Sequence, residues 1–418
     1  VSGGRRRRSA AIALVTVFAC LVGCGTADTR TRAPSASEAS AIPAAVRSGD
    51  GLAISLLQRL GSGGGNVVFS PYSIENALSM VDTGARGTTP TEIDHVLHTT
   101  APATVAAGLA TINARLTAAH APAGAPRLDL ANGLWVQSGL GLEKPFTRTL
   151  ASLFGAAPQS VNFAGAPDTA RQTINSWVAD HTAKLIPDLF PPGTITPQTV
   201  VVLANAIYLA ARWSDPFTRS QTANGPFYTA SGPAVQVPFM TQEVPSAFPY
   251  ANRGSYQAVE LPYLHSTLSM LLVMPKPGTL ARFEHGLSLG SLALLEGRLS
   301  AVRVDLHVPR FHLSFDTELN PILSELGMPV AFSNAADFSG IVAHPQLKIS
   351  AVEHDADLRV DENGTVAAAA TGISIVPTAI APQPATELTL DHPFLAFLRD
   401  DATGTILFVA QVTNPATG

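Results

Sequence analysis

The run "TVVVLANAIYLAARW", Thr199 to Trp213, constrains the fold more than any other stretch. Apolar residues occupy both alternating sets over most of its length, as in a strand buried on both faces or at the centre of a sheet. "TLSMLLVMPKP" reads the same way. "VRVDLHVPRFHLSF" instead alternates, with Val302, Val304, Leu306 and Val308 on one side. Its apolar phase then shifts to Phe311, Leu313 and Phe315, which predicts a bend or bulge at Pro309. "PFLAFLRDDATGTILFVAQV" predicts a hairpin around Asp-Asp-Ala-Thr-Gly.

Helices dominate earlier. "GLAISLLQRL" has helical apolar spacing and stops at "GSGGG". "SPYSIENALSMVDTGA" opens with a capping serine and a first-turn proline. "DTARQTINSWVADHTAKLI" predicts a helix capped by Asp168, with Ile174, Trp177 and Val178 on one face. Helices first and antiparallel strands later make the class α+β. With 46% hydrophobic and 14% charged residues in 418, there is ample material for a core and too little charge for a disordered chain. The net charge is −5, and no basic run occurs beyond the first eight residues, so neither nucleic acid nor a heparin-like activator is expected as a partner.

Residues 1–23 read as an export signal: Arg5 to Arg8 precede the apolar run "SAAIALVTVFACLVGC". That run is short for a bilayer span. "LVGC", Leu21 to Cys24, resembles a bacterial lipobox, which implies lipidation at Cys24, membrane attachment through it and an exported, cell-surface or extracellular protein. An ordinary signal peptide with a chance cysteine is the alternative. Cys20 would be removed, leaving no disulfide. Residues 24–45, rich in Ser, Thr, Ala and Pro, read as a solvated tether, and residues 46–418 as one folded domain.

No nucleophile elbow, zinc helix, phosphate loop or dinucleotide fingerprint is present, so no enzyme, cofactor or metal is expected. His95 and His98 lie three apart on a predicted helix, but no further ligand cluster accompanies them, and a solvated face is the expectation.

Several stretches, in order, resemble the serpin family from about Ser48 to Pro415. They are "NVVFSPYSIENALSMVDTGARGTT", "INSWVADHTAKLI", "LANAIYLAARWSDPF", "YQAVELPY", "HVPRFHLSF", "LKISAVEHDADLRVDENGTVAAAAT" and "DHPFLAFLRDDATGTILFVAQVTNP". The resemblance implies three β-sheets, about nine helices and an exposed reactive-centre loop that serves as bait for a serine protease. Cleavage forms an acyl-enzyme. The loop then enters the main sheet as a new strand and the covalently held protease is distorted. The alternative within the family is a non-inhibitory binding or carrier protein.

The loop's residues suit that role. Thr365, Ala367, Ala369, Thr371, Ile373 and Ile375 form one alternating set, which the resemblance implies is the inward one. All are small or β-branched. A buried unpaired charge would oppose insertion, and a proline would remove a ladder bond. Glu362, Gly364, Thr365, Ala367, Ala368, Ala369, Ala370 and Thr371 make up the hinge, where Asn363 and Gly364 are expected to supply unusual backbone angles. A flexible Ala-rich surface loop is the simpler reading.

The resemblance places Ser70, Ser73, Asn205 and His354 in a polar cluster beneath the opening of the main sheet. It places Trp213, Arg310 and Glu362 where the loop enters, with an Arg310–Glu362 ion pair. The family's spacing puts the scissile bond between Thr378 and Ala379, with Ile380 as the fallback. Apolar residues before that bond suit an elastase-like or subtilisin-like target. Two positions depart from the family's pattern: Lys184 replaces a usual glycine and Val366 a usual glutamate.

Overall fold

The computed structural model describes residue 1 and residues 36–117, 125–230, 232–242, 244–344, 346–365 and 384–417. The chain divides into two units, Val1–Ala33 and Pro34–Gly418, and every element named below belongs to the second. Cys24, Val366, the hinge residues Ala367 to Thr371 and the bond at Thr378, Ala379 and Ile380 lie outside the described residues.

The first elements are α1 (Ala36–Leu60), β1 (Val67–Phe69), α2 (Pro71–Asp82), α3 (Thr89–Val96) and α4 (Pro102–Leu116). Next come β2 (Arg127–Gln137), α5 (Lys144–Phe154), β3 (Gln159–Val161), α6 (Pro167–His181) and β4 (Val201–Arg212). Then follow β5 (Ala223–Phe227), β6 (Val235–Met240), β7 (Ser246–Asn252), β8 (Tyr256–Pro262), β9 (Leu268–Pro275), α7 (Leu280–His285) and α8 (Leu289–Glu296). The last are β10 (Ser300–Pro309), β11 (Phe311–Glu318), α9 (Asn320–Leu326), β12 (Ala351–Asp361), β13 (Gly364–Thr365), β14 (Thr386–Thr389), β15 (Phe394–Asp400) and β16 (Thr405–Val412).

Among the described residues nine α-helices surround an α+β core. Six strands form one sheet in the order β11-β12-β13-β4-β2-β3. Nine of the other ten lie on one hydrogen-bonded path, β1-β16-β15-β9-β8-β7-β10-β6-β5, and β14 pairs with β10 beside it, so that β10 changes partner along its length. Ser300–Val304 pair with β7, Val304–His307 with β14, and Val308–Pro309 with β6. That strand joins two smaller sheets, which with the six-stranded sheet make the expected three. The phase shift at Pro309 is the passage between sheets: β10 ends there and β11 begins at Phe311 on the edge of the six-stranded sheet.

Two expectations change. The tether does not extend to residue 45, because α1 begins at Ala36 and Ala41, Ile42 and Ala45 are buried. A Cβ on Gly108 of α4 would lie 2.5 Å from the Ala41 carbonyl and 2.8 Å from the Ala45 Cβ, so small residues let the two helices approach closely. Small residues carry little hydrophobic signal, which is why the stretch reads as solvated. Asp168 does not cap α6. The cap is Ala166, and Asp168 sits in the first turn, accepting hydrogen bonds from Arg171 at 2.7 Å and Gln172 at 2.9 Å.

β4 is buried on both faces only in its first half. Val202 and Ala204 pack with Ile174 and Val178 of α6 and with Phe190 and Ile195 after it. Val201 and Leu203 pack inward among the helices. Further along, Ile207, Leu209 and Ala211 pack against the larger sheet, while Tyr208, Ala210 and Arg212 on the other face are half-buried.

Candidate functional site

The six-stranded sheet contains a seam between β4 and β12. At its lower end the strands pair in parallel over five rungs, from Ala351↔Val202 to Asp355↔Ala206. At its upper end they no longer pair directly. β13 lies between them, antiparallel to both, with Thr365 opposite Val360 and Ala211 and Gly364 opposite Asp361 and Arg212. Between these ties, no strand pairs with the seam edges of Ile207–Ala210 and Ala356–Arg359 among the described residues.

The lower end is closed by polar contacts. Ser70 caps α2 through its hydroxyl, which accepts from the Ser73 amide at 3.1 Å. The Ser70 amide donates to His354 Nε2 at 3.0 Å. Accepting that hydrogen requires an unprotonated Nε2, so His354 is neutral with its proton on Nδ1. The ring is fully buried. The Ser73 hydroxyl donates to Asn132 of β2 at 2.9 Å. Asn132, Asn205 and His354 occupy one row across β2, β4 and β12. Of the four expected positions, Ser70, Ser73 and His354 are linked by hydrogen bonds, and Asn205 lies beside His354 in the ladder. Asn132 is a fifth that sequence reading missed, because nothing in "RLDLANGLWV" marks it.

The upper end is a tied mouth. Trp213, 3% exposed, donates from Nε1 to the Asp361 carbonyl at 3.0 Å and from its amide to the Asn363 carbonyl at 2.9 Å. Its ring stacks on Tyr263, with centroids 4.5 Å apart and planes 16° apart. The Tyr263 hydroxyl meets the Thr365 hydroxyl at 2.5 Å, and both residues are only 1% exposed. Thr365 therefore points inward, as the alternating set requires. Glu362 makes the expected ion pair with Arg310. It also accepts from Thr222 Oγ1 at 2.8 Å, and its carbonyl accepts from the Phe217 amide at 2.9 Å. Burial alone would raise the Glu362 carboxyl; hydrogen bonds from Arg310 and Thr222 outweigh it and hold the group below the ordinary carboxylate value.

Of the two residues expected to supply unusual backbone angles before Thr365, Gly364 does so, with a φ of 155°, and Asn363 does not. Instead, Asp361 Oδ1 accepts from the amides of Asn363 at 2.7 Å and Gly364 at 3.3 Å, closing the turn through a side chain. Gly364 is required by space, since a Cβ there would lie 1.9 Å from the Ala211 carbonyl oxygen. Asp361, Thr222 and Tyr263 were not legible as site residues. The Tyr263–Thr365 contact spans 102 positions, and only the fold brings the two together.

The departure at Lys184 also has a geometric basis. Ala183 and Lys184 have φ of 51° and 66°, the left-handed region in which glycine is least strained. His98 is also left-handed, just past α3, and its Nε2 meets Ser55 Oγ at 2.8 Å. No group of three metal-ligating side chains occurs among the described residues.

A split sheet with one loop end already seated in the split is a specific architecture, and a family model described as Serpin (serine protease inhibitor) matches residues 47–415. The chain is a serpin. It is 36% identical over 367 residues to an uncharacterized serpin-like protein of Thermococcus kodakarensis, covering 87% of this chain and 84% of that one. It is 33% identical over 358 residues to the leukocyte elastase inhibitor of Bos taurus, covering 84% of this serpin and 93% of the bovine protein. The structure of human thyroxine-binding globulin with its ligand superposes with a TM-score of 0.79 at 27% identity, over 90% of this serpin and 99% of the globulin.

Proposed function

We propose that this serpin inhibits serine proteases by being cut between Thr378 and Ala379, trapping the acyl-enzyme as its loop enters the seam. One observation carries the reading: β13 already occupies the mouth of the seam in a defined register. Continuing that register sets Ala367 between Leu358 and Leu209, and Ala369 between Ala356 and Ile207. Thr371 falls between His354 and Asn205, which now face each other. The inward positions of the incoming strand are thus the small ones, and the polar Thr371 meets the polar row.

Residues 366–369 of that strand would fill edges that carry no partner among the described residues. From Ala370 onward insertion must part the five lower rungs. Ladder bonds contribute about 1 kcal/mol each and ordering a residue costs about 1–2 kcal/mol, so the loop alone gains little. The driving force on this reading is relief of an unfavourable arrangement in the uncut scaffold.

The residues before the cut, "IVPT" from Ile375 to Thr378, favour a target with a small or apolar specificity pocket, elastase-like or subtilisin-like. Attachment of the exported protein to a membrane through a lipidated Cys24 belongs to the same proposal and rests on the "LVGC" motif. The test is incubation with elastase and with subtilisin. A complex that survives denaturant, joined at Thr378 or Ile380, supports the reading. Clean turnover of the loop with free, active protease contradicts it and favours a carrier role.

A further inference from the structure

A second cleft, built from α7, α8 and the facing ends of β8 and β9, has no part in the seam. We propose that it binds a small amphiphilic anion, an apolar chain ending in a carboxylate. This goes beyond the inhibitor reading and does not depend on it.

The cleft has a volume of about 500 Å³, a size suited to a small ligand. One wall is an edge-to-face pair, Tyr256 and Phe283, with centroids 5.6 Å apart. Leu287 and Leu295 contribute buried apolar lining, and Leu294 stands at the opening, 52% exposed. α8 itself, "LGSLALLE", carries four leucines spread around the helix rather than gathered on one face. A helix of that kind is normally covered all round. Here Leu294 is exposed at the cleft, although the helix is securely started by the reciprocal Ser288–Ser291 capping box. An exposed apolar surface around a cleft marks a place that a ligand covers.

Charge identifies which ligand. Lys276, Arg282 and Arg298 line the same cleft, and no acidic residue does among the described ones. None of the three side chains makes a hydrogen bond or ion pair among the described residues. Arg253 donates to the Arg298 carbonyl at 2.8 Å and brings a fourth cation beside them. These residues are scattered over 253–298 and form no basic run, so the fold alone assembles the cluster, in a chain whose net charge is −5. Cations round an apolar pit suit one acidic group on an apolar body. A polyanion would leave the leucines uncovered.

The test uses the full protein and dodecanoate below its micellar concentration, followed by titration calorimetry. Saturable one-to-one binding is expected, with no comparable binding of acetate or dodecylammonium. Arg282→Glu with Arg298→Glu should weaken it roughly tenfold to a hundredfold, as expected for loss of charge-assisted contacts, and Arg282→Lys with Arg298→Lys should restore most of it. Leu294→Asp should weaken it as well, and all these side chains are exposed, so the fold is retained. Equal binding to the Glu variant, equal binding of dodecylammonium, or no binding at all overturns the proposal. So does adsorption to phosphatidylglycerol vesicles that free dodecanoate fails to compete, which would make the surface a membrane contact.

Discussion

The two ends of one seam behave oppositely. Below, β4 and β12 pair over five rungs, buried between α6 on one side and the inner helices on the other, with His354 tied to the start of α2. Above, the same strands accept a two-residue intruder and pack on the larger sheet through Leu209, Ala211, Leu358 and Val360. The closed end is held by contacts to helices, and the open end by contacts to the loop's own root. A strand entering from above therefore meets an admitting mouth first and a polar lock second. Resistance to opening belongs to the lower end, and guidance of the entering strand to the upper.

The largest effect should come from corrupting the guide. Thr365→Arg would put an unpaired charge at a position 1% exposed, a cost of several kcal/mol. The expected result is a protein cleaved at the same bond without holding the protease, read as loss of the denaturant-resistant complex. Weakening the lock comes next. His354→Ala leaves the buried Ser70 amide unpaired and should cost about 1–3 kcal/mol, lowering the unfolding midpoint of the uncut protein and speeding spontaneous loss of inhibition.

The lock is also strained from the side. Asp316 lies directly opposite Asp355, and Glu318 opposite Glu353, like charges that destabilise a ladder. Burial first, and those neighbours second, raise Glu353 and Asp355 to about 7. Burial raises Asp82 and Glu284 to about 7 and Glu75 to about 8. A carboxyl with a raised folded value binds its proton more tightly folded than unfolded, so stability is lost as pH rises from the ordinary value through the folded one. Unfolding midpoints should fall from pH 5 to pH 8; a rise would contradict this assignment.

Smaller effects sharpen the contrast. Tyr263→Phe removes the hydroxyl partner of Thr365 at a cost of about 1 kcal/mol. It should raise the fraction of loop cut unproductively and leave the rate of first cleavage unchanged, which separates guidance from simple destabilisation. Lys184→Gly, beside α6 and away from the mouth, should stabilise by up to about 1 kcal/mol by relieving a left-handed backbone, with inhibition unaltered.

Elements with heavy burial were legible in the amino-acid order. β4, the break at Pro309 and the β15–β16 hairpin follow from apolar spacing, because burial of one or both faces leaves a direct mark on side-chain type. The start of α1 was not legible, since Ala41, Ala45 and Gly108 achieve packing through smallness. At the site, family resemblance singled out Ser70, Ser73, Asn205, His354, Trp213, Arg310 and Glu362; Ser70, Ser73 and His354 are linked by hydrogen bonds at the closed end, Asn205 shares a ladder row with His354, and Trp213 and the Arg310–Glu362 pair lie at the mouth. Asn132, Thr222, Asp361 and Tyr263 act through individual hydrogen bonds and, for Tyr263, a ring stack, which leave no pattern along a chain. The seated hinge itself is a matter of register, visible only once three strands lie side by side.

The central claim is that a cut loop continues the register of β13 into the seam. Calorimetry on the protein nicked between Thr378 and Ala379, compared with the intact protein, tests it most directly. Entry of a full strand predicts an unfolding midpoint higher by more than about ten degrees, since each kcal/mol shifts a domain of this size by a few degrees at most. An unchanged or lower midpoint after nicking would show that the seam stayed as it is, and would contradict the account.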